Sequence, residues 1–132
     1  MKNQVTSIEQ SKLLIELSVP ADKASMVWDT ITPASRPILR VALDEDVDTR
    51  RWKVDNTDSI PAFTVADLIA ILPTTCEGFQ IGLDRVRNDS THIFYEDCAD
   101  SSHIVFFIEN SLVESCVRAI EWVVSNNYTL NI

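Results

Sequence analysis

Three side chains that can bind a metal or act as nucleophile and base occur close together in the second half of the chain. They are His92, Cys98 and His103, and imidazole and thiolate groups are ligands that zinc prefers. A thiolate beside an imidazolium is also a nucleophile. The spacing matches no zinc pattern, and two histidines exclude a three-histidine site. Ordinary strand histidines are therefore favoured, and a small-ligand or weakly metal-dependent enzyme at this place is the alternative.

A second candidate is an acidic segment in which aspartates alternate. Asp44, Asp46 and Asp48 have the spacing of the first three ligands of a calcium-binding loop. In such a loop the sharp-turn position needs glycine and the last position needs glutamate, but here they are Thr49 and Asp55. The flanking residues also predict strands rather than helices. A solvated hairpin tip is favoured over a metal site.

Catalysis by paired carboxylates and phosphate binding by a glycine-rich loop are both disfavoured. Glu96 and Asp97 are consecutive at the end of a predicted strand, and consecutive residues of a strand point to opposite faces of the sheet. No GxSxG or HExxH motif occurs. The only glycines are Gly78 and Gly82, which excludes both GxGxxG and the P-loop. We therefore predict no cofactor and no catalytic residue, and an enzyme is disfavoured but stays an alternative.

Length and composition indicate one acidic globular domain over residues 1–132. Apolar residues make up 45% and charged residues 23% of the chain, which is typical of a folded protein. The net charge is −9, from 20 acidic and 11 basic residues. Such a field repels phosphate backbones and anionic lipids, whereas it attracts a basic protein. We predict no direct nucleic-acid or membrane binding, and a protein as the partner.

The cysteines and the apolar runs predict a cytoplasmic location. Three cysteines are an odd number, and no CxxC pair exists. The segment Met1–Gln10 is polar and does not resemble a signal peptide. The longest apolar run, Ile104–Ile108, is too short to cross a bilayer.

Capping residues, periodicity and prolines predict four helices. Thr6 with Glu9 has the spacing of a capping box, and Ser111 with Glu114 repeats it near the end of the chain. Thr64 is the predicted N-cap of the third helix. Apolar residues recur at helical intervals after each of these caps. The four predicted segments are Ile8–Leu17, Ala21–Trp28, Val65–Leu72 and Leu112–Val124.

Alternating apolar and polar residues between polar turns predict about five strands. Short turns join them, so the sheet should be mainly antiparallel with the helices packed on one face. The predicted class is α+β, with the order α-α-β-β-α-β-β-β-α. The predicted strands are Ile38–Leu43, Arg50–Val54, Phe79–Arg87, Thr91–Glu96 and His103–Ile108.

Two stretches resemble motifs of a family of small uncharacterised proteins from anaerobic gut bacteria. These are V-T-S-I-E-Q-S-K at Val5–Lys12 and I-P-A-F-T-V-A-D-L-I-A-I-L-P at Ile60–Pro73. Family members are found among prophage and other mobile-element genes, and no activity is assigned to them. The resemblance therefore implies a mobile-element origin and no catalytic residue. After the first helix, where glycine is expected, this chain has Ser18.

Aromatic residues are the remaining candidates for a functional role. Trp28, Trp52, Phe63 and Trp122 are either core residues or anchors for a partner, because aromatic side chains dominate interface energetics. Phe63 and Trp28 are the predicted partner contacts. Phe63 also has the position of a hydrophobic staple, packing on Leu68. The leading hypothesis is a non-enzymatic accessory or protein-interaction domain. One alternative is a small-ligand or weakly metal-dependent enzyme that uses His92, Cys98 and His103, and the other is a nucleic-acid mimic.

Overall fold

Short helices and antiparallel strands alternate in an α+β fold, which confirms the predicted class. The computed structural model describes residues 4–29, 38–41, 59–76, 78–85, 91–97, 103–109 and 111–132. Within them the helices are α1 (Ile8–Glu16), α2 (Val65–Ile71) and α3 (Leu112–Ser125). The strands are β1 (Met26–Asp29), β2 (Ile38–Val41), β3 (Ser59–Ala62), β4 (Thr75–Cys76), β5 (Phe79–Arg85), β6 (Thr91–Asp97) and β7 (His103–Glu109).

The described strands form two antiparallel sheets, and the predicted single sheet of about five strands is not confirmed. The first sheet has the order β2-β1-β3, and the second has the order β4-β5-β6-β7. The chain divides within α2 into two compact units, Met1–Asp67 with Ile132, and Leu68–Asn131. The prediction of one domain over residues 1–132 stays a prediction.

The first unit contains α1 and the sheet β2-β1-β3, and its first capping box lies one residue later than predicted. Ser7, not Thr6, is the N-cap of α1, because its hydroxyl accepts from Gln10 N at 3.2 Å. The Gln10 side chain in turn accepts from Ser7 N at 2.9 Å. Leu14 of α1 is completely buried.

The predicted helix Ala21–Trp28 is wrong. Ala21–Lys23 forms a single 3₁₀ turn, and β1 begins at Met26. β1 is the central strand, paired with both β2 and β3, and Val27 is only 1% exposed. Long-range pairing of β-branched and aromatic residues thus overrides the local helical preference.

Strand β3 is absent from the predicted strands, and it contains Pro61, a residue that is uncommon inside a sheet. Pro61 lies opposite Val27 in an edge strand, where proline is tolerated. β2 confirms the first part of the predicted strand Ile38–Leu43. The predicted strand Arg50–Val54 and the acidic turn before it lie outside the described residues.

α2 begins at the predicted N-cap. The Thr64 hydroxyl accepts from Asp67 N at 3.2 Å, and Asp67 Oδ2 accepts from Thr64 N at 2.9 Å. The same carboxylate accepts from Ser25 N at 2.8 Å and from the Ser25 hydroxyl at 2.5 Å. Asp67 therefore holds the loop before β1 to the start of α2.

The second unit is an antiparallel meander with α3 packed on β6 and β7. The predicted N-cap of α3 is confirmed, since the Ser111 hydroxyl accepts from Glu114 N at 3.2 Å. Gly82 of β5 lies opposite Phe94 of β6, and a β-carbon at Gly82 would lie 2.2 Å from the Phe94 ring. The apolar core residues without exposed surface are Leu68, Ile93, Tyr95, Cys116, Ala119, Ile120 and Val123.

Ser18 occupies the position where glycine is expected, and it has a φ of 70°. It closes α1 in a Schellman motif, in which Ser18 N donates to Ile15 O and Val19 N donates to Leu14 O, both at 3.0 Å. A left-handed conformation is costly for a residue with a β-carbon.

We expect Ser18→Gly to raise the free energy of unfolding by about 0.5–1 kcal/mol, the left-handed penalty less the added flexibility of the unfolded chain. Urea denaturation measures it. Ser18→Ala is the control, because it keeps the β-carbon and should give no gain. An equal gain in both variants would contradict strain at Ser18.

Candidate functional site

Three partly exposed aromatic side chains lie together in the second unit, and two of them contact the third. Trp122 of α3 lies at the centre, with its ring centroid 5.4 Å from that of Tyr128 and 6.2 Å from that of Phe107. The Trp122 ring also stacks on the ring of the buried Tyr95, at a centroid distance of 5.6 Å. Phe107, Trp122 and Tyr128 are all half-buried, and they are called the aromatic surface below.

Packing and helix capping hold the aromatic surface in place. α3 buries Ala119, Ile120 and Val123 completely, which fixes the direction of Trp122. After α3 the chain turns back at Asn127, which has a φ of 63°. Tyr128 N then donates to Val123 O at 3.0 Å, in a second Schellman motif. This turn brings the Tyr128 ring onto Trp122.

The end of the chain is also held to its own unit. Asn131 N donates to Ile71 O at 2.8 Å, and Asn131 Nδ2 donates to Ala70 O at 3.0 Å. Leu130 is 8% exposed and belongs to the core. Hydrogen bonds at Tyr128 itself and at Asn131 therefore hold this part of the chain in place, and with it the Tyr128 ring.

Charged residues line the outer side of α3 next to the aromatic surface. Glu114, Arg118 and Glu121 follow at intervals of three and four residues, so they share one face of the helix. Arg118 Nε lies 3.2 Å from Glu109 Oε1 of β7, and the Arg118 side chain is 61% exposed. An aromatic centre with charged residues beside it is typical of a protein-binding surface.

The two predicted partner contacts lie in the first unit and are used within it. Phe63 is 0% exposed, so its ring presents no surface to a partner. Trp28 is half-buried, and its indole Nε1 donates to Thr6 O at 2.9 Å. Only part of the Trp28 ring is accessible.

The two histidines of the candidate group His92, Cys98 and His103 lie apart along the strands. In the β6–β7 ladder His92 lies opposite Ile108, whereas His103 lies opposite Glu96. The two histidine positions are thus four residues apart along the ladder, about 13 Å at the usual rise per residue. Cys98 lies outside the described residues. Among the residues that the structure describes, no group of three or more His, Cys, Asp or Glu side chains is arranged to hold a metal ion.

Among the other ionisable groups, the structure describes a surface hydrogen bond of Glu96 and a buried thiol at Cys116. Asp44, Asp46 and Asp48 lie outside the described residues. Glu96 Oε1 accepts from Gln80 Nε2 at 3.2 Å on the exposed surface. Burial raises the pKa of the Cys116 thiol to about 12, so this residue is an unreactive thiol at neutral pH.

The first unit contains a shallow open groove of about 240 Å³. It is mainly apolar and carries no ionisable side chain, so it offers no acid, base or nucleophile. Its lining residues are Gln4, Val5, Met26, Thr64, Val65 and Ala66.

No protein-family model, curated protein or solved structure matches the chain. Among the described residues, no helix is both long enough and apolar enough to cross a membrane. Trp122 was one of the four aromatic candidates in the sequence, but the predicted partner contacts were Phe63 and Trp28. Its neighbours Phe107 and Tyr128 had no sequence signal that would join them to it.

Proposed function

We propose that this chain is a non-enzymatic accessory domain that binds another protein through the aromatic surface. The observation that carries the proposal is the contact of three partly exposed aromatic rings, those of Phe107, Trp122 and Tyr128. The resemblance of Val5–Lys12 and Ile60–Pro73 to mobile-element proteins supports a mobile-element origin. The net charge of −9 disfavours nucleic acid and anionic membranes as direct partners in the cytoplasm.

The composition and rigidity of the surface support protein binding. Trp, Tyr and Arg are the residues that most often dominate interface energies, and Arg118 lies one helical turn before Trp122. The rings are already held by the core and by the turn at Asn127, so binding orders few additional side chains. The ion pair of Arg118 with Glu109 provides a polar rim beside the rings.

The enzyme alternative receives less support from the described residues. It requires His92 and His103 at one place, and the β6–β7 register puts them four residues apart along the ladder. Mimicry of nucleic acid requires carboxylates along one surface, and the acidic turn at Asp44–Asp48 lies outside the described residues.

The proposal is tested by affinity capture of the tagged chain from its native host with and without changes in the aromatic surface. Tyr128→Ala removes one ring and leaves the stacking of Trp122 on Tyr95. We expect it to reduce recovery of a stoichiometric partner at least about tenfold, as for an interface anchor. Quantitative mass spectrometry measures the recovery, and urea denaturation verifies the fold of each variant.

Thr129→Ala is the matched control, since Thr129 is the exposed neighbour of Tyr128. It should recover as much partner as the wild-type chain. The proposal is wrong if the wild-type chain recovers no stoichiometric partner across growth conditions. It is equally wrong if folded Tyr128→Ala recovers the partner in undiminished amount.

A further inference from the structure

We infer that the partner presents a basic segment, with a lysine or arginine side chain packed on the partly exposed rings of Trp122 and Tyr128. This inference rests on the proposed function and specifies the chemistry of the partner. Three features of the second unit carry it: the ring faces, the end of α3 and the charges on the outer side of α3.

The rings themselves are suited to a cation. The faces of tryptophan and tyrosine carry negative potential, and an ammonium or guanidinium group within about 6 Å of the ring centroid is attracted to them. The Trp122 and Tyr128 centroids are 5.4 Å apart with a tilt of 42° between the rings. One cationic side chain can therefore contact both partly exposed rings.

The position of these rings at the end of α3 adds a second attraction. The C-terminal end of a helix carries partial negative charge, which favours a cation nearby. The last turn of α3 contains no basic residue, although cations are favourable there. Asn126 and the backbone cap the end with neutral donors only, as Asn126 Nδ2 donates to Trp122 O at 2.8 Å. No positive charge in this turn would therefore repel a partner's cation.

The outer side of α3 adds a third attraction. The carboxylates of Glu109, Glu114 and Glu121 against the guanidinium of Arg118 leave a local net charge of −2. Arg118 is paired with Glu109, so it does not offset Glu114 or Glu121 directly. The charge of −9 on the whole chain steers a basic partner toward the molecule and repels an acidic one.

The experiment titrates the ¹⁵N-labelled full chain with three capped octapeptides: (Gly-Lys)₄, (Gly-Glu)₄ and (Gly-Ala)₄. The indole N–H signal of Trp122, assigned by its loss in Trp122→Phe, reports binding at the rings. We expect (Gly-Lys)₄ to shift this signal saturably, while the acidic and neutral peptides leave it in place. Tyr128→Ala should weaken the affinity about three- to fivefold, and Glu121→Gln about twofold.

Glu16→Gln is the matched control, because Glu16 is an exposed carboxylate of α1 in the first unit. It should leave the affinity for (Gly-Lys)₄ unchanged. The inference is overturned if (Gly-Ala)₄ or (Gly-Glu)₄ binds as well, if (Gly-Lys)₄ does not move the Trp122 signal, or if Glu16→Gln weakens binding as much as Glu121→Gln. If the inference fails while partner capture still depends on Tyr128, the proposed function stands with a partner of other chemistry. If Tyr128-dependent capture fails as well, the proposed function falls too.

Discussion

Thr6→Val is expected to lower the free energy of unfolding by about 3 kcal/mol, because it removes a completely buried hydroxyl and leaves its partners without a bond. Thr6 Oγ1 accepts from Phe63 N at 2.9 Å and lies 2.7 Å from Ser11 Oγ, and all three residues are 0% exposed. Valine has nearly the same shape but cannot accept these bonds. The buried Phe63 N–H then bears its full desolvation cost. Urea denaturation measures the loss.

Two variants separate the hydroxyl from the volume of the side chain. Thr6→Ser keeps the hydroxyl and removes one methyl group, so it should cost only about 1 kcal/mol. Ser11→Ala should also cost less than Thr6→Val, because Thr6 still accepts from Phe63 N. If Thr6→Val costs no more than Thr6→Ser, the network of Thr6, Ser11 and Phe63 does not stabilise the fold as argued.

The second large effect is a loss of stability at alkaline pH that depends on Cys116. Burial raises the pKa of its thiol from 9.0 to about 12. Below pH 9 the thiol is protonated in both the folded and the unfolded chain, and it contributes no pH dependence. Between pH 9 and 12 the unfolded chain loses this proton and the folded chain retains it. Stability therefore falls by about 1.4 kcal/mol per pH unit, or by about 2–3 kcal/mol at pH 11.

Comparison with Cys116→Ala isolates this contribution from lysine and tyrosine titration. The variant lacks the thiol, and it leaves a small cavity that lowers its stability at neutral pH. Urea denaturation from pH 7 to pH 11 measures the difference in the free energy of unfolding between the two chains. This difference should be constant up to about pH 9. At higher pH it should shift in favour of the variant, by about 2–3 kcal/mol at pH 11. A constant difference over the whole range would show that Cys116 becomes accessible to water in the folded chain.

Local signals in the sequence predicted the helix starts well, because a cap needs only residues a few positions apart. Thr64 and Ser111 are N-caps as expected. The first cap is displaced by one residue, since both Thr6 and Ser7 have a suitable partner three residues later. The contact of the Thr6 hydroxyl with Phe63 N, 57 residues further along the chain, decides between them. No local pattern contains that information.

Long-range pairing explains the larger differences. Met26–Trp28 has a helical context in the sequence, but it pairs with β2 on one side and β3 on the other. The aromatic surface depends on the fold in the same way, because Phe107 comes from β7, Trp122 from α3 and Tyr128 from the turn after α3. Of these, only Trp122 was among the aromatic candidates, and it was not one of the two predicted partner contacts. Asn127 adopts the left-handed conformation that returns Tyr128 to Trp122. Asparagine is enriched in this conformation, but its presence in a sequence predicts the conformation only weakly.

The most direct test of protein binding through the aromatic surface is site-specific photo-crosslinking in the native host. A benzophenone amino acid replaces Ser125, an exposed residue in the last turn of α3, or Glu16, an exposed residue of α1 in the first unit. We predict that position 125 forms a crosslink to one partner protein, through a peptide that contains lysine or arginine, and that position 16 does not. No crosslink at position 125, or the same products at both positions, would contradict binding through this surface.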